Sequence, residues 1–403
     1  MGFVLRLAVA VPVIALIGAA GFQVSKVAFA DSLSRQDSIP ALQRADGITP
    51  EDAEIHARIA VLDPSRDDEL KEAIKLNPRQ PSWLIMRSIR QEQDGDTAGA
   101  ERSLLQAVAV SRYFVPCWSL AAFYYRQNDT AKFVPAARQT LSVGGGDFRS
   151  IFQMARNLKV PESTIQNDIL PKTVEIGDWY LHFALDENNL DAAAAAAREL
   201  VAVGSKNNRG SVLTVSEALL LRERTADALQ LWNRLVEAHW ITEDALDPSS
   251  GRSLTDGLFR KERIQAAFDW KLVAPLTAPF TLVEPNGIRF EFTGRQPEYC
   301  ELLSQYVPVV PKRQYRLVTR YRTQDIPNES GIRWVWFPIA GKSKTELSYL
   351  ASEQSTEQNA AFETSPQSDA YRLALVYSRL PGVTRLEGRL WIESVSLELL
   401  PAR

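Results

Sequence analysis

The segment Trp118-Ser119-Leu120-Ala121-Ala122-Phe123-Tyr124-Tyr125 decides the fold of the first half of the chain. Trp118, Ala122 and Tyr125 share one face of a helix. A large aromatic there anchors a helix pair, the small Ala122 lets a neighbouring helix approach, and Tyr125 fills the next turn. The spacing recurs. Trp83 lies 35 residues before Trp118, and Leu70 and Ala73 return 34 residues on as Leu104 and Ala107. Ala193 and Leu200 return 35 residues on as Ala228 and Leu235. A period of that length holds two short helices with their turns, and such units stack into a solenoid. Ala45 and Ala73 are each followed five residues later by proline, Pro50 and Pro78. Proline stops a helix because it lacks the amide donor and restricts the residue before it. Thr49-Pro50-Glu51-Asp52 reads as a helix start, with Thr49 as N-cap, Pro50 in the first turn and acidic residues after it.

The 118–125 segment resembles the first-helix motif of tetratricopeptide repeats, Trp-x2-Leu-Gly-x2-Tyr, and Ala73–Pro78 looks like that family's second helix and its terminator. The resemblance implies an all-α helical-repeat solenoid over residues 31–261, with about five helical pairs and a concave groove for a peptide or partner protein. A generic α-solenoid is the alternative. The Trp83 unit departs from the motif, with Arg87 where a small residue is expected and Arg90 where Tyr is expected. Residues 142–173, with Gly144-Gly145-Gly146-Asp147, Pro161 and Pro171, break the register. Ala192–Ala197 carries little bulk and predicts close packing against a neighbouring helix.

From residue 262 alternation replaces the helical period. Ile288, Phe290 and Phe292 share a face, as do Tyr315, Leu317, Thr319 and Tyr321, then Ile332, Trp334 and Trp336, then Tyr371, Leu373, Leu375 and Tyr377. Leu386, Gly388, Leu390 and Ile392 repeat the pattern, which slips at Val395, Leu397 and Leu399, so a β-bulge is expected near Glu393–Ser394. Seven or more strands over residues 262–403 predict an all-β sandwich. Ile288–Gly294, Val307–Pro311 before Tyr315 and Gly388–Val395 resemble the galactose-binding-domain-like jelly roll shared by many carbohydrate-binding modules. That resemblance implies a jelly roll, and its ligand stays open because the fold hosts sugar binders, protein binders and structural modules alike.

A sugar site needs an exposed aromatic for the C–H face of the ring and charged groups for the hydroxyls. Trp391 is the candidate aromatic, on the outward phase with Glu387 and Arg389. Arg320 and Arg372 also fall on outward phases and would read acidic sugars. The competing reading is a solvated face of cross-strand ion pairs, since residues 262–403 hold 17 basic and 16 acidic side chains. Trp270, Trp334 and Trp336 belong to the core.

Residues 3–22 are apolar apart from Arg6, and the uninterrupted run Leu7–Phe22 is 16 residues long. That length falls between a signal-peptide core and a spanning helix. Residues 1–30 are therefore a membrane anchor or a cleaved signal, with Ala28-Phe29-Ala30 as the small-x-small cleavage pattern. Either places the body outside the cytoplasm: anchored in the inner membrane with a periplasmic body, or released after cleavage.

The 403-residue chain carries 46 basic and 49 acidic residues, a formal charge of −3, which argues against nucleic acid as partner. Two cysteines and three histidines leave little for a metal centre, and Cys117 and Cys300 read as buried thiols. No phosphate loop, His-Glu-x-x-His, Cys-x-x-Cys or Gly-x-Ser-x-Gly is present, so no catalytic residue, cofactor or metal is expected. The resulting expectation is a non-catalytic envelope scaffold. Its repeats would bind a partner protein and its jelly roll a polysaccharide, in exopolysaccharide or O-antigen assembly or export. Two rivals stand beside it, a purely protein–protein adaptor with a structural β-domain and a glycan-active enzyme with unrecognised carboxylates.

Overall fold

The structure is a computed structural model. It describes residues 2–272, 280–285, 287–341 and 343–401, and the side chains of 2–12, 14, 280 and 282 lie outside the description. The chain forms two compact units, Met1–Pro171 and Lys172–Arg403.

The first unit begins with α1 (Gly2–Ser34) and α2 (Ile39–Asp46). Three helix pairs follow: α3 (Ala53–Leu62) with α4 (Asp67–Leu76), α5 (Pro81–Gln93) with α6 (Thr97–Val110), and α7 (Phe114–Arg126) with α8 (Thr130–Val143). Caps fix the starts. The carboxylates of Asp52, Asp96 and Asp129 accept from the amides of Glu54, Gly99 and Lys132 at 2.8–3.0 Å. The start of α3 corrects the sequence expectation of Thr49 as the cap. Thr49 instead donates to the carbonyl of Ala45 at 3.2 Å, closing α2, and Asp52 takes the capping role. Ala57, Ala60, Leu70, Ala73, Ile74, Trp83, Leu84 and Ala107 form one buried cluster, so the small residues of the repeat do pack at helix crossings.

Arg90, the departure from the motif, has a local explanation. Pro64 offers no amide to the carbonyl of Ala60 four residues earlier, and the Arg90 guanidinium donates to that carbonyl instead. The stretch at 142–173 is irregular as expected. Gly144 and Gly145 take φ of 69° and 79°, and a Cβ on Gly146 would stand 2.3 Å from the Phe114 ring. After α9 (Phe148–Asn157), the three-residue α10 (Glu162–Thr164) runs into a π-turn at Ile165–Ile169.

The second unit opens with α11 (Val174–Asp186), α12 (Leu190–Val203), α13 (Arg209–Leu220) and α14 (Thr225–Glu237). Ala192, Ala193, Ala194, Ala196 and Ala197 are all buried, which is the close packing their lack of bulk permits. A segment without long elements then leads to the strands. Trp232 of α14 meets Phe268 edge-to-face at 5.9 Å, and Trp270 Nε1 donates to the carbonyl of Thr255 at 3.0 Å. Glu217 of α13 accepts from the amide of Ala267 and pairs with Lys271, so helices and sandwich share this unit.

The strands are β1 (Lys271–Leu272), β2 (Phe280–Glu284), β3 (Gly287–Thr293), β4 (Tyr299–Pro308) and β5 (Gln314–Gln324). After them come β6 (Ile332–Pro338), β7 (Thr345–Tyr349), β8 (Thr356–Glu363), β9 (Ala370–Ser378) and β10 (Glu387–Leu399). They make two five-stranded antiparallel sheets, ordered β1-β4-β9-β6-β7 and β2-β3-β10-β5-β8. This is the β-sandwich that the alternation predicts. The inward faces are the expected ones, with Ile288, Phe290, Phe292, Trp334, Trp336, Leu373 and Leu375 in one core. The register of β10 against β5 shifts between Ile392 and Ser394, which is the bulge that moves the apolar phase. Both cysteines are buried free thiols.

The apolar run at residues 3–22 lies within α1. Among the described residues, no helix is long and apolar enough to cross a membrane.

Candidate functional site

In the first unit, α5 and α7 line an open groove of about 510 Å³. Ile85, Ser88 and Ile89 form one wall, and Trp118, Ser119 and Ala122 the other, with Leu104 between them. The motif explains the space: Ala122 leaves room that a larger side chain would fill. Trp118 is held by its indole N–H, which donates to Ser150 Oγ at 2.9 Å, and Tyr125 OH accepts from Asn157 at 3.2 Å. Ile89 is 48% exposed, an apolar side chain offered to whatever enters. At the rim, Arg126 grips Glu92 with two hydrogen bonds of 2.9 and 2.7 Å, and Gln127 adds a third at 3.2 Å. The hydrogen bond from Arg126 holds the Glu92 carboxyl below the usual carboxylate range. Glu92 and Arg126 stand 34 residues apart, so the bridge joins equivalent positions of adjacent repeats. Opposite charges at the repeat period were the available sequence signal for this rim.

The five residues expected to bind sugar do not form one site. Glu387, Arg389 and Trp391 lie on β10 and Arg320 on β5, both in the sheet ordered β2-β3-β10-β5-β8, whereas Arg372 lies on β9 of the opposite sheet. Trp391 stands in register between Arg289 and Arg322, and the Arg322 guanidinium sits 3.7 Å over its ring. The indole is only 9% exposed. Around it the charges pair across strands. Glu393 takes Arg320 at 3.3 Å and Arg322 at 3.8 Å, Arg389 takes Glu291 at 3.5 Å, and Arg316 takes Glu398 at 3.5 Å. Glu387 stands apart from this ladder, exposed in a cleft of about 460 Å³ at the end of the sandwich with Asp325, Glu329, Arg379 and Arg385.

On the opposite sheet, Arg372 sits in register between Tyr306 and Phe337. Its guanidinium lies 4.6 Å over the Phe337 ring and pairs with Glu301. Nearby, Arg333 lies 5.3 Å over the Tyr349 ring, donates to Tyr349 OH at 2.9 Å and pairs with Glu346 at 2.8 Å. Val335, Ala374 and Val376 form a small buried floor on this outward face. Tyr306, Phe337 and Tyr349 are the aromatics that sequence reasoning passed over. Phe337 was readable from its outward phase opposite Trp336, but the row it makes with Tyr306 depends on β9 lying between β4 and β6.

No protein-family model matches the sequence, and neither does any curated protein. Solved structures resemble one part of the chain each. The C-terminal part of a TPR repeat-containing protein from Cytophaga hutchinsonii is 11% identical, covers 53% of this chain and 95% of its own, and gives a TM-score of 0.29. Pseudomonas aeruginosa PilF is 17% identical over 55% of this chain and 93% of its own, with a TM-score of 0.26. A CBM4 structure is 8% identical over 37% of this chain and 100% of its own, with a TM-score of 0.29. These likenesses do not bear on function, which rests on the residues.

Proposed function

We propose that the chain is a non-catalytic adaptor whose repeat groove holds a segment of a partner protein. The observation that carries this is the open groove between α5 and α7, with Ile85, Ile89, Leu104 and Trp118 for apolar side chains. Ser88, Ser119 and Gln93 also line it and offer hydrogen bonds to a peptide backbone. Burying one aliphatic side chain there is worth about 1.5–3 kcal/mol, so two or three anchors give a reversible, micromolar-class interaction after the ordering cost of the peptide. The apolar Leu7–Phe22 run supports export, with the body at the cell envelope.

Selection of a displayed peptide library on the full chain tests the groove. Enriched peptides carrying spaced apolar residues, whose binding is lost in Ile89→Glu and Ala122→Phe, support the proposal. Enrichment that survives both substitutions overturns it.

A second reading, a polysaccharide face on the sandwich, is favoured by the Tyr306, Phe337 and Tyr349 rings standing beside Arg372 and Arg333. Aromatic rings next to charged side chains suit stacking on a sugar with hydrogen bonds to its substituents. Binding of the full chain to immobilised acidic glycans, lost in Phe337→Ala, would favour that reading in turn.

A further inference from the structure

His56 of α3 is 8% exposed and bonded at both ring nitrogens. Nδ1 lies 2.7 Å from Glu69 Oε2 of α4, and Nε2 lies 3.0 Å from the carbonyl oxygen of Pro50, in the turn between α2 and α3. Asp46 Oδ1, at the end of α2, is 3.3 Å from Nε2 and is buried without another hydrogen-bond partner among the described residues. All three neighbours are acceptors. A neutral imidazole has one N–H and one lone pair, so it can satisfy only one side and sets a lone pair against an oxygen on the other. The imidazolium, with two N–H donors, fits both.

Little else holds this end of the chain. Ala30, Leu42, Ala45, Ile55 and Ile59 make the buried cluster that seats α1 and α2 on α3, with Leu33 and Ile48 at its margin. These are few and mostly small side chains, so a polar tie that depends on one proton carries weight there.

We propose that His56 is a proton-operated latch that fastens α2 and the Asp46–Pro50 turn to the first repeat and lets them loosen when the imidazolium loses its proton. The charged groups facing it are Glu69 from α4 and Asp46 from α2. Arg66 stands 4.0 Å from the other Glu69 oxygen and competes for that carboxylate. Burial pulls the His56 pKa down, but the Glu69 and Pro50 hydrogen bonds and the charges of Asp46 and Glu69 outweigh it, so the net direction is up from 6.5. A raised folded-state value means the latch is fully closed below 6.5 and is lost as pH rises through the folded value. In that window the opening constant climbs up to about tenfold per pH unit, because one proton is released on opening.

The test is hydrogen exchange of the full chain from pH 5.5 to 8.5, corrected for intrinsic rate, read in residues 38–50. Imidazole NMR of the three histidines runs in parallel. The latch predicts that His56 stays doubly protonated above pH 6.5 and that protection of 38–50 falls across the interval in which it titrates. In Glu69→Gln the titration and the loss of protection move together to lower pH. His56→Gln shows weak protection of 38–50 at every pH, with the remainder of the first unit unchanged. A neutral His56 at pH 6, or protection that ignores its titration in the wild type and in Glu69→Gln, overturns the proposal.

Discussion

Replacing Glu243 by Gln should make the second unit more stable in alkaline solution and leave it nearly unchanged in acid. Glu243 lies between α14 and β1, is 3% exposed, and has no hydrogen-bond partner for either carboxylate oxygen among the described residues. Burial, then the nearby charge of Asp269, push its pKa from 4.5 to about 7, and Lys261, with Nζ 3.7 Å away, offsets only part of this. The folded state therefore keeps a proton that the unfolded chain has released. Its favourable contribution is complete below pH 4.5 and lost as pH rises through about 7. A shift of that size corresponds to about 3 kcal/mol, or about 6–12 °C in Tm for a unit of this length. Glutamine mimics the protonated acid in size and charge but does not titrate. Urea unfolding at pH 5 and pH 8.5 should give similar midpoints for the two proteins at the lower pH. At the higher pH the variant should lead by up to about 3 kcal/mol. Parallel pH profiles, or a variant weaker at both values, would refute the reasoning.

Three further substitutions probe other parts of the account. Arg90→Met should strand the Ala60 carbonyl and cost about 1–3 kcal/mol in the first unit, measured by urea midpoint. Arg322→Ala should uncover Trp391, shift its fluorescence to longer wavelength and cost about 0.5–1 kcal/mol from the lost ring contact. Ala193→Leu, at a fully buried helix crossing, should destabilise the second unit by about 1–3 kcal/mol through overpacking, seen as a lower Tm.

The repeats were legible because their signal is local: Trp118, Ala122 and Tyr125 share one helix, and a face can be read from spacing alone. The same holds for Ile288, Phe290 and Phe292, and for the bulge after Ile392, where a change of phase betrays an extra residue. Site assembly was not legible. Outward phase tells which side of its own strand a residue takes, and Arg372 and Trp391 pass that criterion equally. It does not tell which sheet the strand joins, because β9 and β10 find their partners through pairings distant in sequence. The cover on Trp391 comes from Arg322, 69 residues earlier, and only the β5–β10 register brings them together. His56 was read as structural debris of a metal-poor chain, since neither Asp46 nor Glu69 stands at ligand spacing from it.

The central claim, that the groove between α5 and α7 is where a partner binds, is tested most directly by amide exchange of the full chain with and without a selected peptide. The account predicts added protection in residues 85–93 and 114–126, abolished together with binding in Ile89→Glu. Protection confined to other segments, or unchanged by that substitution, would contradict it.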